Sequence, residues 1–160
     1  MLTIRPATPA DIPLIRAYIA ELAEYERAPE AAVATPEDLT HHLFGERPLA
    51  HAVMAEWAGA PAGFALWFYN FSTWEGKPGL YLEDLWVRPA FRGHGIGKSL
   101  LQHLAKVAVA EGCTRYQWQV LDWNTPAIDF YKAQGAGVLT EWLTCRVEGE
   151  ALKALAAGAP

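Results

Sequence analysis

Residues 81–99 read YLEDLWVRPAFRGHGIGKS. Glu83 and Asp84 interrupt the apolar run of Tyr81, Leu82, Leu85, Trp86 and Val87, and Arg92, Gly93, His94, Gly95, Ile96, Gly97 and Lys98 follow at once. A glycine-rich turn that opens a helix leaves backbone N–H groups without acceptors and lets a ligand come close, which makes a site for phosphate or pyrophosphate. The acids upstream offer a second chemistry. Burying a carboxylate in an apolar strand is costly without a purpose or a partner, and taking a proton directly or through water is such a purpose. A structural salt bridge or a cap on neighbouring backbone is the other reading of Glu83. In a regular strand Asp84 faces away from Glu83, so both serve one cleft only where a bulge or strand divergence turns one of them.

Glycine spacing separates the known phosphate loops. The nucleotide P-loop needs a glycine where this chain has Arg92, and the dinucleotide fingerprint needs its third glycine where the chain has Lys98 or Leu100. The run Arg92-Gly93-His94-Gly95-Ile96-Gly97 instead fits R/Q-x-x-G-x-G/A. That loop resembles the one with which the GNAT superfamily of N-acetyltransferases holds the pyrophosphate of acetyl-CoA.

Acetyl transfer to an amine needs a neutral nucleophile, whereas an alkyl ammonium has an unperturbed pKa of about 10.4. A base is therefore required, and Glu83 is the candidate. The departing thiolate needs an acid, for which Tyr131 is the candidate. It lies in Asn124-Thr125-Pro126-Ala127-Ile128-Asp129-Phe130-Tyr131, where Pro126 can begin a helix. A packing aromatic is the other reading of Tyr131. His94 and Lys98 add positive charge beside the loop, and Trp74, in the segment after Asn70, can wall a substrate cleft or simply pack. His41, His42 and His51 show no metal-ligand pattern.

The 160 residues and their hydrophobic half suffice for one domain, 1–160, with a sizeable core. A net charge of −5 without a basic run argues against a nucleic-acid partner. Cys113 and Cys145 form no CxxC pair and read as buried structural thiols. No leader-like or membrane-spanning apolar run is visible, so a cytoplasmic protein without a membrane partner is expected.

The elements that must position these residues can be read in outline. Residues 2–5 form a strand and Ile12 to Tyr25 a helix; Thr35 caps a short helix opening at Pro36. Strands over 50–57 and 63–69 pair as a hairpin, and 70–79 has the composition of a loop. Residues 80–87 form the central strand, and apolar residues from Ile96 to Ala108 recur at helical spacing up to Gly112. A strand over 116–121, a helix over 125–133 and a final strand over 141–147 complete the expected order, with an Ala-rich end after Glu150 that frays.

The resemblance extends over nearly the whole chain. Ile4-Arg5-Pro6-Ala7, Glu21-Leu22-Ala23-Glu24-Tyr25-Glu26, Phe44-Gly45-Glu46-Arg47-Pro48, Tyr81-Leu82-Glu83-Asp84, and Trp123-Asn124 through Phe130-Tyr131-Lys132 resemble, in the same order, the spermidine/spermine (diamine) and thialysine N-acetyltransferase subgroup. That resemblance implies an α/β fold with a mixed, mostly antiparallel sheet flanked by helices, whose two central parallel strands splay. It implies an acetyl-CoA-dependent enzyme acting on a small-molecule primary amine by direct attack in a ternary complex. Leu85, Trp86 and Val87 would hold the pantetheine arm and thioester, residues 92–98 the pyrophosphate, with Asn124 and Tyr131 completing the cofactor site. Glu83 would be the base acting through water, Tyr131 the acid, and Tyr25, Glu26, Trp74 and Asp84 would line the amine cleft beside Glu83. A homodimer is implied as well. A non-catalytic acyl-CoA-binding sensor on the same fold, or an enzyme for another amine such as an aminoglycoside, are the alternatives.

Overall fold

Five strands form one sheet in the order β1 (Leu2–Pro6), β2 (His51–Trp57), β3 (Ala60–Ser72), β4 (Lys77–Val87) and β5 (Arg115–Gln117). The first three pairings are antiparallel and β4 with β5 is parallel, so the expected mixed, mostly antiparallel sheet is present. These features come from a computed structural model in which residues 1–158 are described. The chain divides into two units, one running from Met1 to Trp123 and the other beginning at Asn124.

In the first unit α1 (Ile12–Tyr25) and α2 (Pro36–Phe44) cover one face of the sheet. Ile12, Ile15 and Tyr18 recur at helical spacing and pack with Leu43, Met54, Phe64, Leu66 and Trp86. Tyr18 is completely buried and stacks on Phe64 with ring centroids 5.3 Å apart. Each fully buried side chain of this size contributes about 1.5–3 kcal/mol of hydrophobic stabilisation. Pro13 is accommodated because the first turn of a helix has no N–H bond to lose. At the other end the Glu26 N–H returns to the Leu22 carbonyl, and Arg27 at φ 63° turns the chain away. The α2 cap is as expected, with the Asp38 N–H donating to Thr35 Oγ1 and the Thr35 N–H donating to Asp38.

Helix α3 (Ile96–Ala110) buries Ile96, Leu100, Leu101, Leu104 and Ala108 and contacts β3, β4 and β5. The β1 end is fastened by ions: Arg5 forks onto Asp11 at 2.8 and 2.9 Å and reaches Glu56 at 2.9 Å. The Arg5 guanidinium, with help from the Thr8 N–H, holds the Asp11 carboxyl down at about 2.

Several expectations are corrected. The 70–79 loop is mostly ladder, because β3 runs to Ser72, β4 starts at Lys77, and a tight turn closed by Gly76 N–H to Ser72 O joins them. Composition misled here, since Asn70 pairs with Gly79, where a Cβ would lie 2.2 Å from Asn70 Oδ1. The 116–121 strand survives only as Arg115–Gln117, because β4 offers it a ladder only over 79–81.

The second unit contains α4 (Thr125–Ala133), with the expected bounds, and α5 (Gly149–Ala156), where fraying was expected. The expected strand over 141–147 is not formed: the segment has the apolar content of a strand but is not among the five strands of the sheet. Cys113 is half-buried, and Cys145 is exposed rather than buried.

Candidate active site

The site is organised by two irregularities of β4. Leu66 pairs with Asp84 while Trp67 pairs with Leu82, so Glu83 is an extra residue without a cross-strand partner. This bulge re-aims the side chains that a regular strand would send to opposite faces. Strand β5 pairs only with Gly79, Leu80 and Tyr81, so from Leu82 onward that edge of β4 has no strand beside it among the described residues. The parallel strands therefore part just before the two acids; no strand pairs with that edge over Leu85 and Trp86 among the described residues, and the Val87 carbonyl accepts from Arg92 Nε.

Both acids lie near the end of α1. Glu83 was expected to be buried and is exposed, because the bulge turns it outward. The half-buried acid is Asp84, whose carboxyl is pushed up to about 7, first by burial and then by the charges of Glu83 and Glu26. Glu26, which caps α1, is itself raised by partial desolvation and by the charge of Glu83. Three carboxylates from two distant segments thus share one field, and one of them titrates near neutrality, where a general base is most effective.

Tyr25 walls this region. Its ring lies 5.7 Å from Trp86 and 6.2 Å from Trp123, and the Arg27 guanidinium sits 3.9 Å over Trp123. A cavity of about 580 Å³ between α1 and the end of β4 is lined by Glu21, Glu24, Tyr25, Trp86, Arg88, Pro89 and Ala90. Trp74 is elsewhere: it is 83% exposed in the β3–β4 turn, where Arg115 lies 5.8 Å over its ring. Lys77, three positions after it, is six residues along an extended strand from Glu83, a distance of about 20 Å.

The glycine loop has the form an anion needs. Gly93 and Gly95 adopt φ of 82° and 74°, and a Cβ on either would meet nothing within 4 Å, so the space beside them is open. Gly95 caps α3, whose first closing bond runs from Ser99 N–H to Gly95 O; the N–H groups of Ile96, Gly97 and Lys98 have no intrahelical acceptor. The exposed Lys98 lies on the same first turn. Arg92 turns back instead: Nε donates to the Val87 carbonyl at 3.0 Å, and the guanidinium lies 4.9 Å from the Trp86 ring and 5.4 Å from that of Tyr25. The His94 ring packs at a tilt with its centroid 4.6 Å from that of Trp57, with Nδ1 at 3.1 Å from the Phe91 and Arg92 carbonyls, to which it must donate.

Asn124 and Tyr131 belong to the second unit. Asn124 caps α4 by accepting from the Ala127 N–H, and Tyr131 lies in the last turn of that helix, its ring 5.4 Å from Phe130. Among the described residues, no group of three His, Cys, Asp or Glu side chains is arranged to hold a metal ion, and no helix is long and apolar enough to cross a membrane.

Sequence reasoning missed Glu21 and Arg88. Glu21 accepts from Trp86 Nε1 at 2.7 Å and from the Arg88 guanidinium at 2.7 and 3.1 Å. Glu21 stood in a recognised motif and Arg88 read only as the end of a strand, and nothing in their spacing pairs them.

Comparison with known proteins agrees with this geometry. Residues 16–136 match the model of the Acetyltransferase (GNAT) family. The chain is 42% identical to a thialysine N-epsilon-acetyltransferase of Bos taurus, covering 96% of each chain. It is 34% identical to an L-ornithine N5-acetyltransferase of Arabidopsis thaliana, over 95% of this chain and 86% of that one. An integron cassette protein from V. cholerae superposes with a TM-score of 0.81 at 30% identity, covering 97% of both chains. A bulged, half-open strand feeding a glycine-capped helix, together with these relatives, establishes that the chain belongs to the GNAT family and is an N-acetyltransferase.

Proposed function

We propose that the protein transfers the acetyl group of acetyl-CoA to the side-chain primary amine of a small amino acid or diamine of the thialysine and ornithine type. The single observation that carries this reading is the trio Glu26, Glu83 and Asp84 beside the open edge of β4, with Asp84 pushed up to about 7. The trio gives a cationic amine a negative cleft, and within it one group poised to take its proton. Relatives that acetylate thialysine and ornithine support the choice of acceptor.

The loop fits the donor. The open N–H groups of Ile96, Gly97 and Lys98, and the clear space over Gly93 and Gly95, suit a pyrophosphate, and the β4 edge at Leu85, Trp86 and Val87 suits the amides of a pantetheine arm. Bound there, acetyl-CoA supplies an activated acetyl thioester. The chain's own residues do the proton work. Asp84 takes the proton from the ammonium through water, and the charge of Glu83 at the solvent side helps keep Asp84 near neutrality. Tyr131 holds a phenolic proton on Oη for the leaving sulfur, and Asn124 helps fix the turn that begins its helix. Tyr25 and Glu26 bound the amine, and Trp74, at the far end of β4, lies outside that cleft. A homodimer is expected in solution.

The test follows free thiol while the protein is incubated with acetyl-CoA and a panel of thialysine, ornithine, diamines, polyamines and aminoglycosides. Amine-dependent thiol release with a short side-chain amine supports the reading. Donor binding without turnover across the panel points to an acyl-CoA sensor instead.

A further inference from the structure

Glu21, Trp86 and Arg88 form a closed arrangement that the proton chemistry does not use. One carboxylate accepts the indole N–H of Trp86 at 2.7 Å and both sides of the Arg88 fork, while the Arg88 guanidinium also lies 4.7 Å over the ring of the buried Tyr18. Charge-assisted bonds of this geometry are stronger and more directional than neutral ones. The Arg88 pair holds the Glu21 carboxyl below its ordinary range, so it remains an anion with both oxygens occupied.

The position of the clamp gives it consequences. Glu21 is four residues before Tyr25, on the same face of α1, and Tyr25 is followed by Glu26 of the acid trio. Trp86 is two residues beyond Asp84 on β4, so the indole and the carboxyl point to the same face. The clamp therefore joins the last turns of α1 to the end of β4 at the point where each carries its amine-facing acid. Its members also line the 580 Å³ cavity with Glu24 and Tyr25. An apolar contact could hold two elements together, but it would not fix the rotation of the indole or the register of α1 on β4.

We infer that Glu21 is a positioning residue for the amine pocket, acting through Trp86 and Arg88 to set Tyr25 and Glu26 against Asp84. This rests on the amine acetyltransferase reading above. The clamp is made by side chains alone, whereas the β4 backbone and the N–H groups of Ile96, Gly97 and Lys98 serve the donor, so its loss falls first on the amine.

The test is a steady-state comparison of the wild type with Glu21→Gln, Arg88→Gln and the double variant, read with the indole 1H–15N resonance of Trp86. Arg88→Gln keeps the Trp86 indole on Glu21 and removes only the ion pair, so it serves if Glu21→Gln folds poorly. The expected result is a rise of about tenfold in the KM for thialysine in each single variant, the scale of one lost charged hydrogen bond. The KM for acetyl-CoA and kcat change by less than about twofold, and the double variant is no worse than the worse single one. Equal losses for amine and acetyl-CoA, additive losses in the double variant, or stably folded variants with unchanged amine KM would overturn the inference. If the wild type turns over no amine, the function reading fails, and the clamp is judged by titration with thialysine. A Trp86 indole shift that disappears in Glu21→Gln then supports it, and an unmoved resonance sinks it.

Discussion

Glu26 at the end of α1 and Asp84 in the middle of β4 lie close enough that the charge of the first raises the pKa of the second. Their meeting depends on the bulge at Glu83 and on the packing of α1 across the sheet. Neither segment alone makes an acid that titrates near neutrality, because burial and like charge must act on the same carboxyl.

That cost has a stability signature. The folded pKa of Asp84, about 7, lies above the ordinary value of 3.8, so between these two pH values the native state retains a proton that the unfolded chain has lost. The contribution is therefore unfavourable to folding as pH rises through this window. Asp84→Asn, which cannot ionise, is expected to melt close to the wild type near pH 4 and above it near pH 8. Thermal melts at the two pH values check this, and a gap that shrinks as pH rises would count against it.

Asp11 has the opposite sign. Its folded pKa of about 2 lies below 3.8, so its stabilising contribution is present above about pH 4 and is lost as pH falls towards 2. Asp11→Asn should cost about 1–2 kcal/mol at pH 7, discounted because Arg5 is partly solvent-exposed, and almost nothing at pH 2. Urea unfolding at the two pH values measures the difference.

Gly95→Ala places a Cβ on a residue at φ 74° in open space, so strain rather than collision is its local effect. A loss of about 1 kcal/mol in stability is expected. A larger effect is expected on acetyl-CoA, since the added methyl occupies the approach to the open N–H groups of α3. Calorimetric titration should show weaker donor binding with the KM for amine little changed; unaltered donor affinity would remove the loop from the donor site.

Tyr131→Phe removes the phenolic proton and keeps the ring. Turnover is expected to fall by about a hundredfold or more, with acetyl-CoA affinity within a few-fold of wild type. Parallel loss of both would make Tyr131 a packing residue.

The sequence was most legible where local chemistry decides the structure. The bounds of α1 and α4, the Thr35 cap and the glycine turn before α3 follow from capping residues, prolines and apolar spacing that act within a few residues. It was least legible where a distant partner decides. Residues 141–147 have the composition of a strand without a ladder, and Asn70 looks like a loop residue until Gly79 pairs with it. The site divides in the same way. The acids and the anion loop are visible as motifs, but which acid is half-buried depends on how β3 registers against β4, and an alternating pattern cannot announce a bulge. Glu21 and Arg88 are tied by side chains alone between α1 and the end of β4, a pairing that no periodicity encodes.

The most direct test of the central claim is the pH dependence of kcat/KM for thialysine in the wild type, Glu83→Gln and Asp84→Asn. The wild type should gain activity through a limb near pH 7. Glu83→Gln removes a like charge from Asp84 and should move that limb to lower pH, while Asp84→Asn should lose it along with about a hundredfold in rate. A limb near pH 7 that survives unchanged in Asp84→Asn would contradict the assignment of the β4 acid pair to the amine.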